Sequence, residues 1–323
     1  MSTTTKDGYR RTETGYLEPT QDLIRKNRQK PSKEDYFFRN ISGENEKSIA
    51  EYCLKDGKAL LMKGPPGCGK TAFAMWFAKE KGLGFYRVPC NEDTTTRDFF
   101  GSLAPDSTGE FIVSPGPVLK GIMDGQAVIL IDDFNLADKN IVAALHPVLD
   151  SRQFTNPLTF ENYDLSPSVI IMFAMNPGGM YALESSPALK RRPLAIRFDY
   201  LPKETAIEMA LSKLESAYAK DSTVRRVADG IWDGVYDLRK VHANNNMTPD
   251  GTGAIPMVEK PGDGTIIDAL KMWCSGFSIE VAAKVAIAER IISDTATDAE
   301  QRIMAIVDIV KSRVPNQLQK KSP

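Results

Sequence analysis

The sequence predicts an α/β domain built on a five-stranded parallel sheet and followed by a small all-helical domain, and three observations carry that expectation. Ala59 to Met62 form a short apolar run, Gly64-Pro-Pro-Gly-Cys-Gly-Lys-Thr71 follows as a glycine-rich loop, and Ala72 to Lys79 continue with helical periodicity. Two further apolar runs, Ala127 to Ile131 and Ser168 to Ala174, end in polar residues, as buried parallel strands do at the sheet edge where ligands sit. From Pro202 onward, apolar residues recur every third and fourth position, which is the pattern of packed helices.

The glycine-rich loop fits the spacing G-x-x-x-x-G-K-T. Between a strand and a helix, such a loop turns successive backbone N–H groups onto phosphate, and the helix N-terminus adds partial positive charge at the same point. Gly64, Pro65, Pro66, Gly67, Cys68, Gly69, Lys70 and Thr71 are therefore the expected nucleotide-binding residues. Lys70 would contact the β- and γ-phosphates and Thr71 would hold Mg²⁺. Asp132-Asp133, at the end of the second apolar run, supplies carboxylates to the same edge; the first would orient the metal and its waters, and the second would polarise the attacking water. Asn176, after the third run, could bond that water or the γ-phosphate, or merely cap a turn.

Composition excludes more than it proposes. With 41 basic and 42 acidic side chains in 323 residues there is no global charge bias, and no stripe of aromatic and basic residues points to a nucleic acid partner. Cys53, Cys68, Cys90 and Cys274 form no C-x-x-C pair, and His146 and His242 are the only histidines, so neither a zinc site nor a disulfide framework is expected. The first residues lack the apolar core of a signal peptide, and no apolar run approaches a membrane span, giving a cytoplasmic expectation.

In chain order, residues 1–35 read as a mobile or loosely docked arm, poor in apolar anchors. Tyr36 to Phe38 could pack beside an adenine ring or belong to the core, and a helix around Ile49 to Leu54 should precede the first strand. Gly84 to Pro89 reads as the second strand, and Gly109-Glu-Phe-Ile-Val-Ser-Pro-Gly-Pro117 as a short exposed hairpin ahead of a helix from Val118 to Asp124. Ile141 to Leu149 reads as a helix, and Leu194 to Phe198 as the fifth strand after the basic segment Pro187 to Pro193. Five helices are expected beyond Pro202: Lys203 to Tyr218, Val224 to Leu238, Thr265 to Cys274, Ile279 to Ser293 and Asp298 to Lys311. Val241 to Gly264 reads as a polar loop insert and the last residues as a solvated tail.

Taken together, the phosphate loop, GEFIVSPGP, the paired acids, FAMNPGG and SPALKRRPLAIRFDY resemble the AAA+ ATPases of the MoxR group, within it the CbbQ/NirQ/NorQ branch, from about Tyr36 to about Ser293. PCNEDTTTRDFFG and ALHPVLDSRQ strengthen that resemblance, and the gas-vesicle GvpN proteins look less similar. It implies an AAA+ phosphate-loop domain over residues 36–201, a helical lid domain over 202–312 carrying the insert 241–264, and a tail over 313–323. It also implies an ATPase that needs ATP and Mg²⁺ and forms a homo-oligomeric ring, most simply a hexamer. The family's partner is a von Willebrand factor A-domain protein, and the client is a metalloenzyme such as Rubisco or nitric oxide reductase. Gly64 to Thr71 match Walker A, Asp132 and Asp133 Walker B, and Asn176 sensor 1; Arg192 matches an arginine finger for the neighbouring subunit, with Arg191 as the fallback.

Two departures from the family stand out. Its second Walker B acid is usually Glu, whereas Asp133 is one methylene shorter. No arginine falls in register with sensor 2, where the sequence reads GDGTIIDAL. These departures favour, as the alternative to a motor, a nucleotide-gated scaffold that assembles with little hydrolysis. A nucleic acid loader is the third reading, and no N-K-x-D run supports a GTPase.

Overall fold

The computed structural model describes residues 4–5, 8–28, 36–176, 191–243, 255, 257–293 and 298–319. The chain divides into two compact units: residues 1–64 with 70–198, and residues 65–69 with 199–323. The boundary crosses the phosphate loop twice.

The first unit is organised by a sheet of five strands, β4 (Leu60–Lys63), β5 (Gly84–Pro89), β8 (Ala127–Asp132), β11 (Val169–Met175) and β12 (Leu194–Arg197), in the spatial order β12-β4-β11-β8-β5. Every neighbouring pair is parallel, as the apolar runs predict. β8 is buried along its whole length. Side chains alternate between faces: Ile129, Ile131, Ile171 and Phe173 join a cluster with Val118, Leu119 and Ile122 of α5 (Pro117–Asp124) and Ile141 and Leu145 of α6 (Lys139–Ser151). Helix α3 (Lys70–Glu80), which follows the loop directly, packs on β8, β5 and β11.

Register places the ends of these strands together. Met175 pairs with Lys63, Phe173 with Ile131 and Pro89 with Asp132, and the Gly64 N–H extends the β4–β11 ladder by donating to the Met175 carbonyl at 3.1 Å. Three adjacent strands therefore deliver Gly64, Asn176 and the Asp132-Asp133 pair to one edge. Tyr36 and Phe38, both half-buried, pack on Trp76, and Tyr36 also on Phe73, beside α3.

Four sequence expectations need correction. The GEFIVSPGP segment is not a hairpin by itself. It supplies only β7 (Phe111–Pro115), whose antiparallel partner is β6 (Gly101–Pro105). The N-terminal arm is folded over residues 4–5 and 8–28: β1 (Thr4–Thr5), β2 (Tyr9–Arg11) and β3 (Leu17–Pro19) extend the β6–β7 hairpin into a second five-stranded sheet, and α1 (Gln21–Lys26) follows. Its anchors are buried charges together with Ile24 and Tyr16, which join the apolar cluster of the main sheet. Fully buried Glu18 meets Arg10, Tyr163 and Asn156; Tyr163 lies on β10 (Asn162–Asp164), paired with β9 (Gln153–Thr155). Fully buried Asp124 meets Arg25, Arg28 and Tyr86.

In the second unit, the helix expected from Lys203 to Tyr218 is broken into Lys203–Ser212 and Ser216–Ala219. The next runs longer, Ser222–Ala243, followed by Asp263–Cys274, Ile279–Ala283 continued through a π turn to Ile291, and Ala299–Arg313. The chain after Val314 is not a free tail up to Gln319: the Trp273 indole donates to the Leu318 carbonyl at 2.9 Å, and Ile279 N–H to the Gln319 carbonyl at 2.8 Å. Half of the insert over 241–264 lies outside the described residues, as do residues 177–190, the larger part of MNPGG and of the basic segment.

Candidate nucleotide site

Within the first unit the expected residues converge. Buried Lys70 opens α3 and donates to the Gly64 carbonyl at 2.7 Å and to Asn176 Oδ1 at 2.9 Å. The amide nitrogen of Asn176 in turn donates to Asp133 Oδ1 at 3.0 Å. The ammonium, the amide and the second acid thus form one hydrogen-bonded path between β4, β11 and β8. Beside it, Thr71 donates its hydroxyl to Asp132 Oδ2 at 2.8 Å.

Backbone conformation holds this path in place. Asp133 sits in the left-handed region at φ 50°, uncommon for a residue with a Cβ, and opens a single 3-10 turn over Phe134–Leu136. That bend turns Asp133 out of the strand toward Asn176. Asn135, buried in the same turn, accepts from the Asn176 backbone N–H at 3.3 Å and so ties the two strand ends together. Burial, with the neighbouring Asp132 charge, raises the Asp133 carboxyl above the ordinary aspartate range, against the opposing pull of Lys70. The nearby Cys90 thiol is pushed up to about 12 by burial and by the two carboxylates, which makes it inert.

Thr71 and Asp132 are hard oxygen donors side by side, the donor chemistry that Mg²⁺ accepts while keeping several waters and phosphate oxygens. Among the described residues no cluster of three or more His, Cys, Asp and Glu could cage a metal by itself. The residues present therefore fit a metal held jointly with nucleotide phosphate.

The second unit contains the loop tip, residues 65–69. Tyr200 Oη donates to the Pro66 carbonyl at 3.3 Å, and the Asp263 N–H approaches the Gly67 carbonyl at 3.4 Å. Gly67 has φ +69°, and a Cβ there would come within 3.0 Å of the Gly262 backbone, so glycine is required for both conformation and space. Arg239 lies flat on the Tyr200 ring, 3.6 Å from its centroid, and pairs with Asp263 at 2.8 Å. Arg239, from the helix Ser222–Ala243, thus holds Tyr200 and Asp263 together beside the loop tip.

Arg192 and Arg191 do not join the convergence. Arg192 is bound to Asp150 at the end of α6, with Nη2 2.6 Å from Oδ2, and Arg191 is exposed. Sequence reasoning missed Arg87, Asn135 and Arg239. Arg87 carried a signal, a lone charge between Tyr86 and Val88 in an otherwise uncharged strand.

Residues 59–193 match the AAA domain of the dynein-related subfamily. This part of the chain carries the AAA+ fold. NorQ of Paracoccus denitrificans is 30% identical over 183 residues, 56% of this chain and 66% of NorQ. The denitrification regulatory protein NirQ of Pseudomonas aeruginosa is 27% identical over 267 residues, 82% of this chain and 94% of NirQ. An uncharacterized protein of Staphylococcus epidermidis is 34% identical over 149 residues, 45% of this chain and 56% of that protein. The chain is thus similar to proteins of the NorQ/NirQ type, and its AAA domain is a nucleotide-binding one. Among its described residues no helix is long and apolar enough to cross a membrane.

Proposed function

We propose that this chain works as an ATPase subunit of a cytoplasmic ring, most simply a hexamer, that spends ATP turnover on activating or maturing a metalloenzyme, in concert with a partner carrying a von Willebrand factor A domain. The observation that carries the catalytic part is the path Lys70–Asn176–Asp133, which sets a cation, a neutral polar group and an acid in the order that phosphoryl transfer to water needs. Gly64 to Thr71 cradle the phosphates, and Lys70 exchanges its bond to the Gly64 carbonyl for the β/γ-phosphate oxygens. Asn176 orients the attacking water. Asp133 polarises that water and takes its proton as the new P–O bond forms and ADP leaves. Thr71 and Asp132 would hold Mg²⁺, which supplies charge neutralisation at the phosphate oxygens when bound. Arg192, freed from Asp150, would reach the γ-phosphate on the adjacent subunit. Residues 36–201 would form the motor domain and 202–312 its lid. NirQ's name as a denitrification regulator favours a redox metalloenzyme as client over a Rubisco-type one.

Steady-state ATPase activity of the purified chain beside Lys70→Ala tests this reading: turnover that vanishes in the variant supports it. No turnover by the wild type, with ATP still bound to it, favours the nucleotide-gated scaffold. The short side chain of Asp133, pinned by Asn176, is the observation behind that second reading. A large rise in turnover for Asp133→Glu would strengthen it.

A further inference from the structure

Asp132 has a partner that the account above leaves unused. Arg87, on the edge strand β5, donates from Nε at 2.9 Å and lies at 2.8 Å through Nη2, both on Asp132 Oδ2, the same oxygen that accepts the Thr71 hydroxyl. The other carboxylate oxygen, Oδ1, is taken by the Asp133 N–H at 3.2 Å. Both carboxylate oxygens thus have a donor, and three of the four donor atoms fall on Oδ2. The Arg87 side chain is about half exposed (47%), whereas the Asp132 side chain is nearly buried (5%), so the arginine can leave toward water and the aspartate cannot follow.

We propose that Arg87 is a positioning residue that gates metal entry: its guanidinium and the hydrated Mg²⁺ compete for Asp132, and Arg87 swings off when metal and nucleotide arrive together. The inference rests on Thr71 and Asp132 as the metal-holding pair. Two cationic groups cannot both occupy one buried carboxylate without repulsion, and the one with access to water yields. Without the metal, Arg87 holds Asp132 paired and oriented toward Thr71. Such an arrangement raises the Mg²⁺ concentration that nucleotide binding needs, because the metal must displace a bonded cation. The fork of the guanidinium matters as well as its charge, since both Nε and Nη2 engage one oxygen and a lysine ammonium could supply only a single point of contact.

The test reads binding rather than turnover. A fluorescent ADP analogue is held at fixed concentration with wild type, Arg87→Met and Arg87→Lys, and Mg²⁺ is titrated from a metal-free start. Arg87→Met should lower the Mg²⁺ concentration at half-maximal binding by about three- to fivefold, the range expected for removing a half-exposed competing charge. Arg87→Lys should fall between Arg87→Met and wild type. Thermal melts matching wild type would show that both variants are folded, and Arg87→Gln can replace Arg87→Met if that variant is unstable. A midpoint that stays put or rises in the neutral variant overturns the proposal, as does nucleotide binding by wild type that is indifferent to Mg²⁺. Absent turnover would count against the motor reading alone and leave this comparison intact.

Discussion

Asn176 donates from its side-chain amide to Asp133 Oδ1 at 3.0 Å while its own Oδ1 accepts from Lys70 at 2.9 Å, so one neutral residue links the phosphate-binding cation to the second acid. An amide can do this because it carries donor and acceptor at once; a carboxylate or an ammonium in its place could satisfy only one of the two neighbours.

That double role predicts the phenotype of Asn176→Ala. ATP binding, measured with a fluorescent analogue, should change little, because the phosphate loop is intact. Turnover should fall about 100-fold, the usual scale for losing a group that orients the reacting water. An equal loss in binding and turnover would make Asn176 a structural cap instead.

Asp133 gives a prediction about pH and stability. Its carboxyl is raised above the ordinary range mainly by burial, so the folded state holds that proton more tightly than the unfolded chain does. The associated stability is fully present below the unfolded aspartate range and is lost as pH rises through the elevated folded value. At neutral pH the ionised Asp133 is therefore a net cost, and Asp133→Asn should melt higher than wild type at pH 7, with the gain shrinking at pH 4. Turnover in wild type should also decline on acidification sooner than an ordinary aspartate would dictate.

The N-terminal segment is tied on through Asp124, which is fully buried and meets Arg28, Arg25 and Tyr86. Asp124→Ala removes the common partner of two cations and a phenol. Urea unfolding should show a loss of about 2–3 kcal/mol, less than for a wholly buried orphaned charge because both arginines keep some access to water. Asp124→Asn, which retains hydrogen bonding, should lose less.

The sheet and most of the site were legible because they rest on local signals: unbroken apolar runs for β8 and β11, a fixed spacing for the loop, and polar residues directly after each strand. The N-terminal strands were not legible. Their attachment depends on Arg10 finding Glu18 and Glu161, and Arg28 finding Asp124, pairings that in one dimension look like the composition of a disordered arm. Nor was the contact of Arg87 with Asp132, which depends on the β5–β8 register bringing Pro89 beside Asp132. The hairpin was half visible, since Phe111–Pro115 alternates but its partner Gly101–Pro105 has no strong strand signal.

The central claim is that hydrolysis is completed between subunits by Arg192, which in the single chain is held by Asp150. Arg192→Ala and Lys70→Ala should each be inactive, the first with ATP still bound and the second without it. The decisive measurement is the ATPase rate of the two variants mixed after dissociation and reassembly. If the arginine serves the neighbouring site, equal mixing should restore about a quarter of wild-type turnover, because that fraction of random interfaces joins an intact site to an intact arginine. No restoration in mixed rings, or normal turnover by Arg192→Ala alone, would contradict the account.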